Sequence, residues 1–205
     1  QKADVEAAPK EIPAEQTSVT QHTVVVDGKT ISYTATAATL HLLSGEGDVT
    51  GSLYYTAYTR NDADAGTRPL AFIYNGGPGS ASMWLHMGAL GPKRVVVNDP
   101  FNNKPAPYKV EDNQFSILEK SDVVFIDPIG TGISKAVGKA NNKDFWGVDE
   151  DIKSVSGFIK QYINENNRWS SPKFILGESY GTMRSAGVAN YLQEELGIAL
   201  NGIIL

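Results

Sequence analysis

The sequence predicts an α/β fold: a mixed, mostly parallel sheet that starts with an N-terminal antiparallel meander and is flanked by helices. Three observations carry this. Short continuous apolar runs at residues 70–74, 123–126 and 173–176 have the length and composition of strands buried on both faces. Val148, Ile152, Val155, Ile159 and Ile163 recur at three- and four-residue steps, the period of an amphipathic helix. Residues 21–60 alternate apolar and polar between turn signals, as antiparallel hairpins do.

The 205 residues are enough for one sizeable core. A hydrophobic fraction of 41%, with 20 Gly and 10 Pro, suits a globular chain. The net charge of −5 gives no basic footprint for nucleic acid. No apolar run reaches membrane-spanning length, so no membrane partner is expected. The absence of cysteine excludes disulfides and thiolate chemistry but identifies no compartment. Residues 1–20, rich in Ala, Glu, Lys and Pro and starting at Gln1, read as a flexible lead-in of the kind that follows a removed export signal. An exported, periplasmic or extracellular protein is the resulting expectation. Residues 21–205 then read as part of one domain.

The elements are justified in order. Residues 23–26 are β-branched and apolar, Asp27-Gly28 is a two-residue hairpin signal, and Ile31, Tyr33 and Ala35 share one face of the returning strand. Residues 44–48 form a second turn, and 51–60 a third strand with Leu53, Tyr55 and Ala57 on one face. His22 and His41 fall at strand edges and read as structural. The run at 70–74 ends abruptly in Asn75-Gly76-Gly77-Pro78-Gly79-Ser80, a loop whose backbone N–H groups no side chain shields. Residues 81–90 suggest a short helix carrying His86, which also reads as structural. Residues 93–97 suggest a strand, 98–107 a loop, and 121–127 a buried strand ending at Asp127, read as a loop-organising residue. Residues 144–166 form the amphipathic helix, with Asp144 as its cap and Asp149, Glu150 and Asp151 in its first turns. A final strand begins at Gly202.

The candidate chemistry sits in Gly177-Glu178-Ser179-Tyr180-Gly181. A G-x-S-x-G string occurs by chance in about one chain in ten of this length. Here an apolar strand precedes it, and a helical pattern of Met183, Val188, Tyr191, Leu192 and Leu196 follows. That context defines a nucleophile elbow: a tight turn that lifts the serine hydroxyl above the sheet at a helix N-terminus. No metal site is expected, since the three histidines and the carboxylates show no ligand spacing. Gly130 and Gly132 lack the lysine or third glycine of a nucleotide loop, so no cofactor is expected.

Taken with the elbow, Asn75-Gly76-Gly77-Pro78-Gly79, Leu90-Gly91-Pro92 and Asp127 with Gly130-Thr131-Gly132 make the chain resemble the serine carboxypeptidases, α/β-hydrolase-fold exopeptidases, in a bacterial-type form. The resemblance runs from about Tyr33 to Leu205. It implies Ser179 as the nucleophile that forms an acyl-enzyme, and the backbone N–H groups of Gly77 and Tyr180 as the oxyanion hole. It implies that Asn75, the Gly76 backbone and Glu178 hold the free C-terminal carboxylate of a peptide substrate. Glu178 beside that carboxylate requires a shared proton, which burial would favour.

The chain departs from the family pattern in placing Ala89 where many members carry a second glutamate, Tyr74 in place of a tryptophan, and Ser80 in place of a cysteine. Elbow enzymes of this fold order their triad as serine, acid, histidine. No histidine follows His86, so the triad acid and base are expected beyond residue 205, and the fold is expected to break off after about the sixth core strand. Two other readings stand beside the peptidase: an acyltransferase on the same scaffold, and a non-catalytic hydrolase-like binding protein.

Overall fold

The computed structural model describes residues 9–97 and 106–205. Its main sheet contains strands β1 (Thr17–Val26), β2 (Lys29–Leu43), β3 (Val49–Arg60) and β4 (Leu70–Tyr74) from the first part of the chain. A short helical turn, α1 (Met83–Leu85), runs into a π-helical turn at His86–Leu90, and β5 (Lys93–Val95) pairs with β6 (Val110–Asp112) in a separate ribbon. The chain returns to the sheet with β7 (Asp122–Ile126) and β8 (Lys135–Ala136). It then forms helix α2 (Val148–Glu165), strand β9 (Lys173–Gly177), helix α3 (Tyr180–Glu194) and strand β10 (Gly202–Ile204).

The strand order is β1-β2-β3-β7-β4-β9-β10, with β8 also pairing β3. The first three strands and the β3–β7 pair are antiparallel. The β7–β4, β4–β9 and β9–β10 pairs are parallel. Asp27 and Gly28 both take positive φ, 48° and 75°, in the two-residue turn whose twist matches the flanking strands. The three apolar runs become the three central strands, and every residue of β4 and β7 is buried.

The two long helices pack on one face of the sheet. Val155, Phe158, Ile159 and Ile163 of α2 and Val188 and Leu192 of α3 join Leu53, Phe72, Tyr74, Val124, Ile126 and Ile175 in one core. The opposite face, carrying Ala71, Ile73, Val123 and Phe125, is covered by Leu85, Leu90 and Ile117 of the short helical turns. Successive strands after β4 land on opposite sides of it, β7 on one and β9 on the other. Such a reversal opens a crevice at the C-terminal ends of the strands.

Two boundaries are corrected from the sequence reading. The lead-in expected over residues 1–20 overlaps β1, whose first pair is Thr17 with Ala38. Upstream of it, Lys10 pairs with Gly138, and the Gln16 N–H donates to Thr39 Oγ1 at 2.9 Å. These polar residues add an edge strand through main-chain bonds, which leave no periodic signal. Residues 1–8 lie outside the described residues, as do 98–105 of the expected 98–107 loop. The helix expected from residue 144 begins at Val148. Asp144 instead closes a capping box with Asn141 on a 3-10 turn, Asn142–Phe145, and Gly147 separates the two. The Gly147 N-cap has extended backbone, so the helix cannot run through it.

At the N-terminal edge of the central strands, the buried Asp122 carboxylate receives Arg68 Nε at 2.6 Å, Arg168 Nη1 at 2.7 Å and the Arg60 N–H at 3.0 Å. This cluster ties β7, β4 and the α2–β9 connection together at the end of the sheet opposite the crevice.

Candidate active site

Ser179 stands at the turn between β9 and α3 with φ 58° and ψ −125°. A positive φ at a non-glycine residue costs on the order of 1–3 kcal/mol and persists where its surroundings enforce it. The glycines explain the enforcement. A Cβ on Gly177 would lie 2.0 Å from the Gly181 carbonyl oxygen and 2.6 Å from Ser185 Oγ, so the turn closes on bare backbone. Gly181 N–H donates to the Glu178 carbonyl at 2.8 Å, and the Thr182 N–H and Oγ1 both donate to the Ser179 carbonyl at 2.9 Å. The serine is exposed at the N-terminus of a 15-residue helix, where negative charge is favoured.

The loop after β4 lies directly against this turn. A Cβ on Gly76 would meet Tyr180 N at 2.5 Å, the Glu178 carbonyl oxygen at 2.7 Å and Gly181 N at 2.9 Å. Gly77 follows with φ 110°. Tyr180 opens α3, where a backbone N–H has no intrahelical acceptor. Among the described residues, neither the Gly77 nor the Tyr180 N–H finds a backbone acceptor. The far side of this loop is bolted to the end of β7. Asp127 Oδ1 accepts the Ser82 N–H at 2.8 Å, and the Ser82 hydroxyl donates to the Ile126 carbonyl. Burial raises the Asp127 pKa above the usual carboxylate value, with the Ser82 N–H opposing the shift. A Cβ on Gly132 would lie 2.3 Å from Asp127 Oδ2. Asp127 thus organises the two loops, as its position before the elbow suggested.

Asn75 and Glu178, 103 residues apart, meet here: Asn75 Nδ2 donates to Glu178 Oε2 at 3.0 Å. Asn75 Oδ1 in turn accepts the Leu85 N–H at 3.1 Å. All six residues singled out in the sequence, Asn75, Gly76, Gly77, Glu178, Ser179 and Tyr180, are therefore brought to one crevice. The burial expected for Glu178 is not found. Its position at the turn leaves it exposed, so Asn75 rather than a dry pocket is its partner. Ala89 is likewise exposed, and its carbonyl accepts Asn113 Nδ2 at 2.7 Å.

The three histidines are engaged elsewhere. His86 Nε2 is hydrogen-bonded to Tyr58 Oη at 2.6 Å and the ring stacks on Phe125, with centroids 4.6 Å apart. Burial lowers its pKa to about 4. His22 Nε2 contacts Thr20 Oγ1 at 2.8 Å, and His41 Nε2 contacts the Pro13 carbonyl at 2.8 Å. Among the described residues, no cluster of His, Cys, Asp or Glu is placed to hold a metal, and no helix is long and apolar enough to cross a membrane.

Sequence reasoning missed Arg184 and read Asp151 only as a first-turn acid of its helix. Arg184 of α3 is 1% exposed, with Nε donating to Asp151 Oδ2 at 2.8 Å and Nη1 to the Asn75 carbonyl at 2.8 Å. Its guanidinium carbon lies 5.2 Å from the Tyr74 ring centroid and 5.1 Å from that of Tyr180. Nη2 finds no acceptor among the described residues. A signal was present. Arg184 shares the i, i+4, i+8 stripe of Val188 and Leu192, and Asp151 that of Val155 and Ile159. Opposite charges on the core stripes of two neighbouring helices imply a buried pair.

Beside Tyr180, a cavity of about 340 Å³ opens on the α2 side of the elbow. Its wall includes Pro78, Ile129, Thr131, Phe145 and Trp146, with Asp151 behind. Burial, and then the Asp151 carboxylate, hold the Tyr180 phenol above its usual pKa.

A strained serine on a strand–turn–helix, at the C-terminal end of a largely parallel sheet with a glycine loop against it, defines an α/β-hydrolase. The comparisons narrow the class. A family profile described as Serine carboxypeptidase matches residues 39–197, and the chain belongs to that family. It is similar to the pheromone-processing carboxypeptidase KEX1 of Saccharomyces cerevisiae, 34% identical over 138 residues, which is 62% of this chain and 17% of the relative. Serine carboxypeptidase-like 33 of Arabidopsis thaliana is 27% identical over 150 residues, 71% of this chain and 29% of that protein. The crystal structure of Kex1(delta)p, a prohormone-processing carboxypeptidase from Saccharomyces cerevisiae, superposes with a TM-score of 0.61 at 24% identity. That superposition covers 82% of this chain and 37% of the other. The chain thus spans less than a third of the length of these two curated relatives.

Proposed function

We propose that these residues supply the nucleophile and substrate-gripping half of a serine carboxypeptidase site, which releases the C-terminal residue of a peptide. Ser179 Oγ attacks the carbonyl carbon of the last peptide bond. The Gly77 and Tyr180 N–H groups receive the developing oxyanion, and the leaving amine departs to give an acyl-enzyme that water then hydrolyses. Asn75 Nδ2, the Gly76 N–H and the Glu178 side chain hold the terminal carboxylate. The base that takes the serine proton is a histidine oriented by an acid, both following the elbow in chain order and lying beyond residue 205.

The observation that carries this reading is the pairing of Asn75 with Glu178 beside Ser179. The two polar groups converge next to the nucleophile, with Asn75 also held by the Leu85 N–H of α1. The Tyr180 cavity lies on the α2 side. On this assignment it takes the side chain on the acyl side of the scissile bond, and its lining favours an apolar or aromatic group.

The test uses the full-length protein with a blocked dipeptide carrying a free C-terminus. Turnover is expected, together with its loss on amidation of that terminus and in Ser179→Ala. Equal turnover of the free and amidated substrates would refute the carboxylate grip and favour an acyl-transfer or endo-acting site.

A further inference from the structure

We infer that Arg184 is a positioning residue for the carboxylate grip: from the core it sets the plane of the Asn75–Gly76 peptide, and so the direction of the Gly76 N–H. The inference rests on the exopeptidase reading above and adds to it a residue that touches neither substrate nor Ser179.

The geometry is a lever. Arg184 lies one turn beyond Tyr180, and helical side chains lean back toward the N-terminus, so its guanidinium comes to rest beneath the elbow. Nη1 holds the Asn75 carbonyl oxygen at 2.8 Å. The Asn75–Gly76 peptide is planar and trans, so its C=O and N–H point in opposite directions. Anchoring the oxygen on the α3 side therefore aims the Gly76 N–H away from the core and into the crevice. Gly76 has no side chain to define that plane, and none could be added against Tyr180 N at 2.5 Å. The guanidinium is itself fixed in three ways: by Asp151 Oδ2, by the Tyr74 ring and by the Tyr180 ring.

Packing alone does not account for an arginine here. A buried ion pair gains little over an apolar residue of similar volume, and this one leaves Nη2 without an acceptor among the described residues. What an apolar residue cannot do is hold the carbonyl.

The test compares Arg184→Lys and the double variant Arg184→Met/Asp151→Asn in the full-length protein. The double variant removes both charges together, so neither is left buried alone. Active sites are counted by fluorophosphonate titration, which normalises for any unfolded fraction. Two substrates are then followed: a blocked dipeptide with a free C-terminus, and p-nitrophenyl acetate, which has no carboxylate to grip. The expected result in both variants, with alanine as the dipeptide's penultimate residue so that the Tyr180 cavity stays unfilled, is a KM raised roughly tenfold, with kcat and ester turnover per titrated site changed less than about threefold. Parallel loss of both activities, or no change in KM, would overturn the inference. Failure of the exopeptidase reading shows separately, in the wild-type protein, as equal turnover of the amidated dipeptide.

Discussion

Replacing Gly76 by alanine adds one methyl group where the structure has no room for it. The new carbon would stand 2.5 Å from Tyr180 N, 2.7 Å from the Glu178 carbonyl oxygen and 2.9 Å from Gly181 N. Ordinary contact is near 3.5–4.0 Å, so the loop and the elbow must separate by about 1 Å. All three neighbours are main chain, and no side-chain rotation can relieve the clash. A shift of that size at a reacting centre costs about 100-fold in rate, and displacing an oxyanion donor costs about 100- to 1,000-fold. Overpacking itself destabilises by roughly 1–3 kcal/mol. Gly76→Ala is therefore expected to fold with a Tm lowered by several degrees and to lose at least about 100-fold in kcat/KM. The assay pairs calorimetry with dipeptide hydrolysis per titrated serine. Gly157→Ala is the control: beyond its own helix backbone no described atom lies within 4 Å of the added carbon, and its site in α2 predicts a gain of about 0.5–1 kcal/mol with activity unchanged. If Gly76→Ala keeps activity within about threefold of wild type, the close approach of loop and elbow is not what builds the site.

Three further outcomes follow from the same structure. Asp122→Asn leaves the buried Arg68 and Arg168 side chains without their shared carboxylate, and is expected to cost about 3–5 kcal/mol in denaturant unfolding. Because Asp122 lies at the far end of the sheet, activity per folded molecule should hold. His86 titrates near 4 in the folded chain against 6.5 unfolded, so the unfolded state binds its proton first. Its contribution is whole above pH 6.5 and falls away as pH drops toward 4, by up to about 3 kcal/mol; His86→Gln should flatten the stability profile over that interval. Trp146→Ala should lower kcat/KM about tenfold for dipeptides with an aromatic penultimate residue and leave those with alanine there nearly unchanged. Equal effects on both would remove the cavity from the acyl side.

The sequence by itself determined the elements that local rules govern. The Asp27-Gly28 turn, the buried runs that became β4 and β7 and the α2 stripe are each set by a period or a turn residue within a few positions. The two glycine-bearing loops were legible for the same reason, since only bare backbone makes such turns, and their order along the chain was enough to suggest the family. Tertiary structure decided the rest. Local pattern does not say that β7 and β9 would fall on opposite sides of β4, yet this places the Asn75 loop against the Ser179 turn. Main-chain pairing drew Thr17–Thr20 into the sheet without any side-chain signal. The exposure of Glu178 followed from where the turn sits above the sheet. Read helix by helix, Arg184 looks like a misplaced charge and Asp151 like an ordinary first-turn acid. They become a pair only when α2 and α3 pack side by side, because a buried charge is tolerable only where its partner arrives from another element.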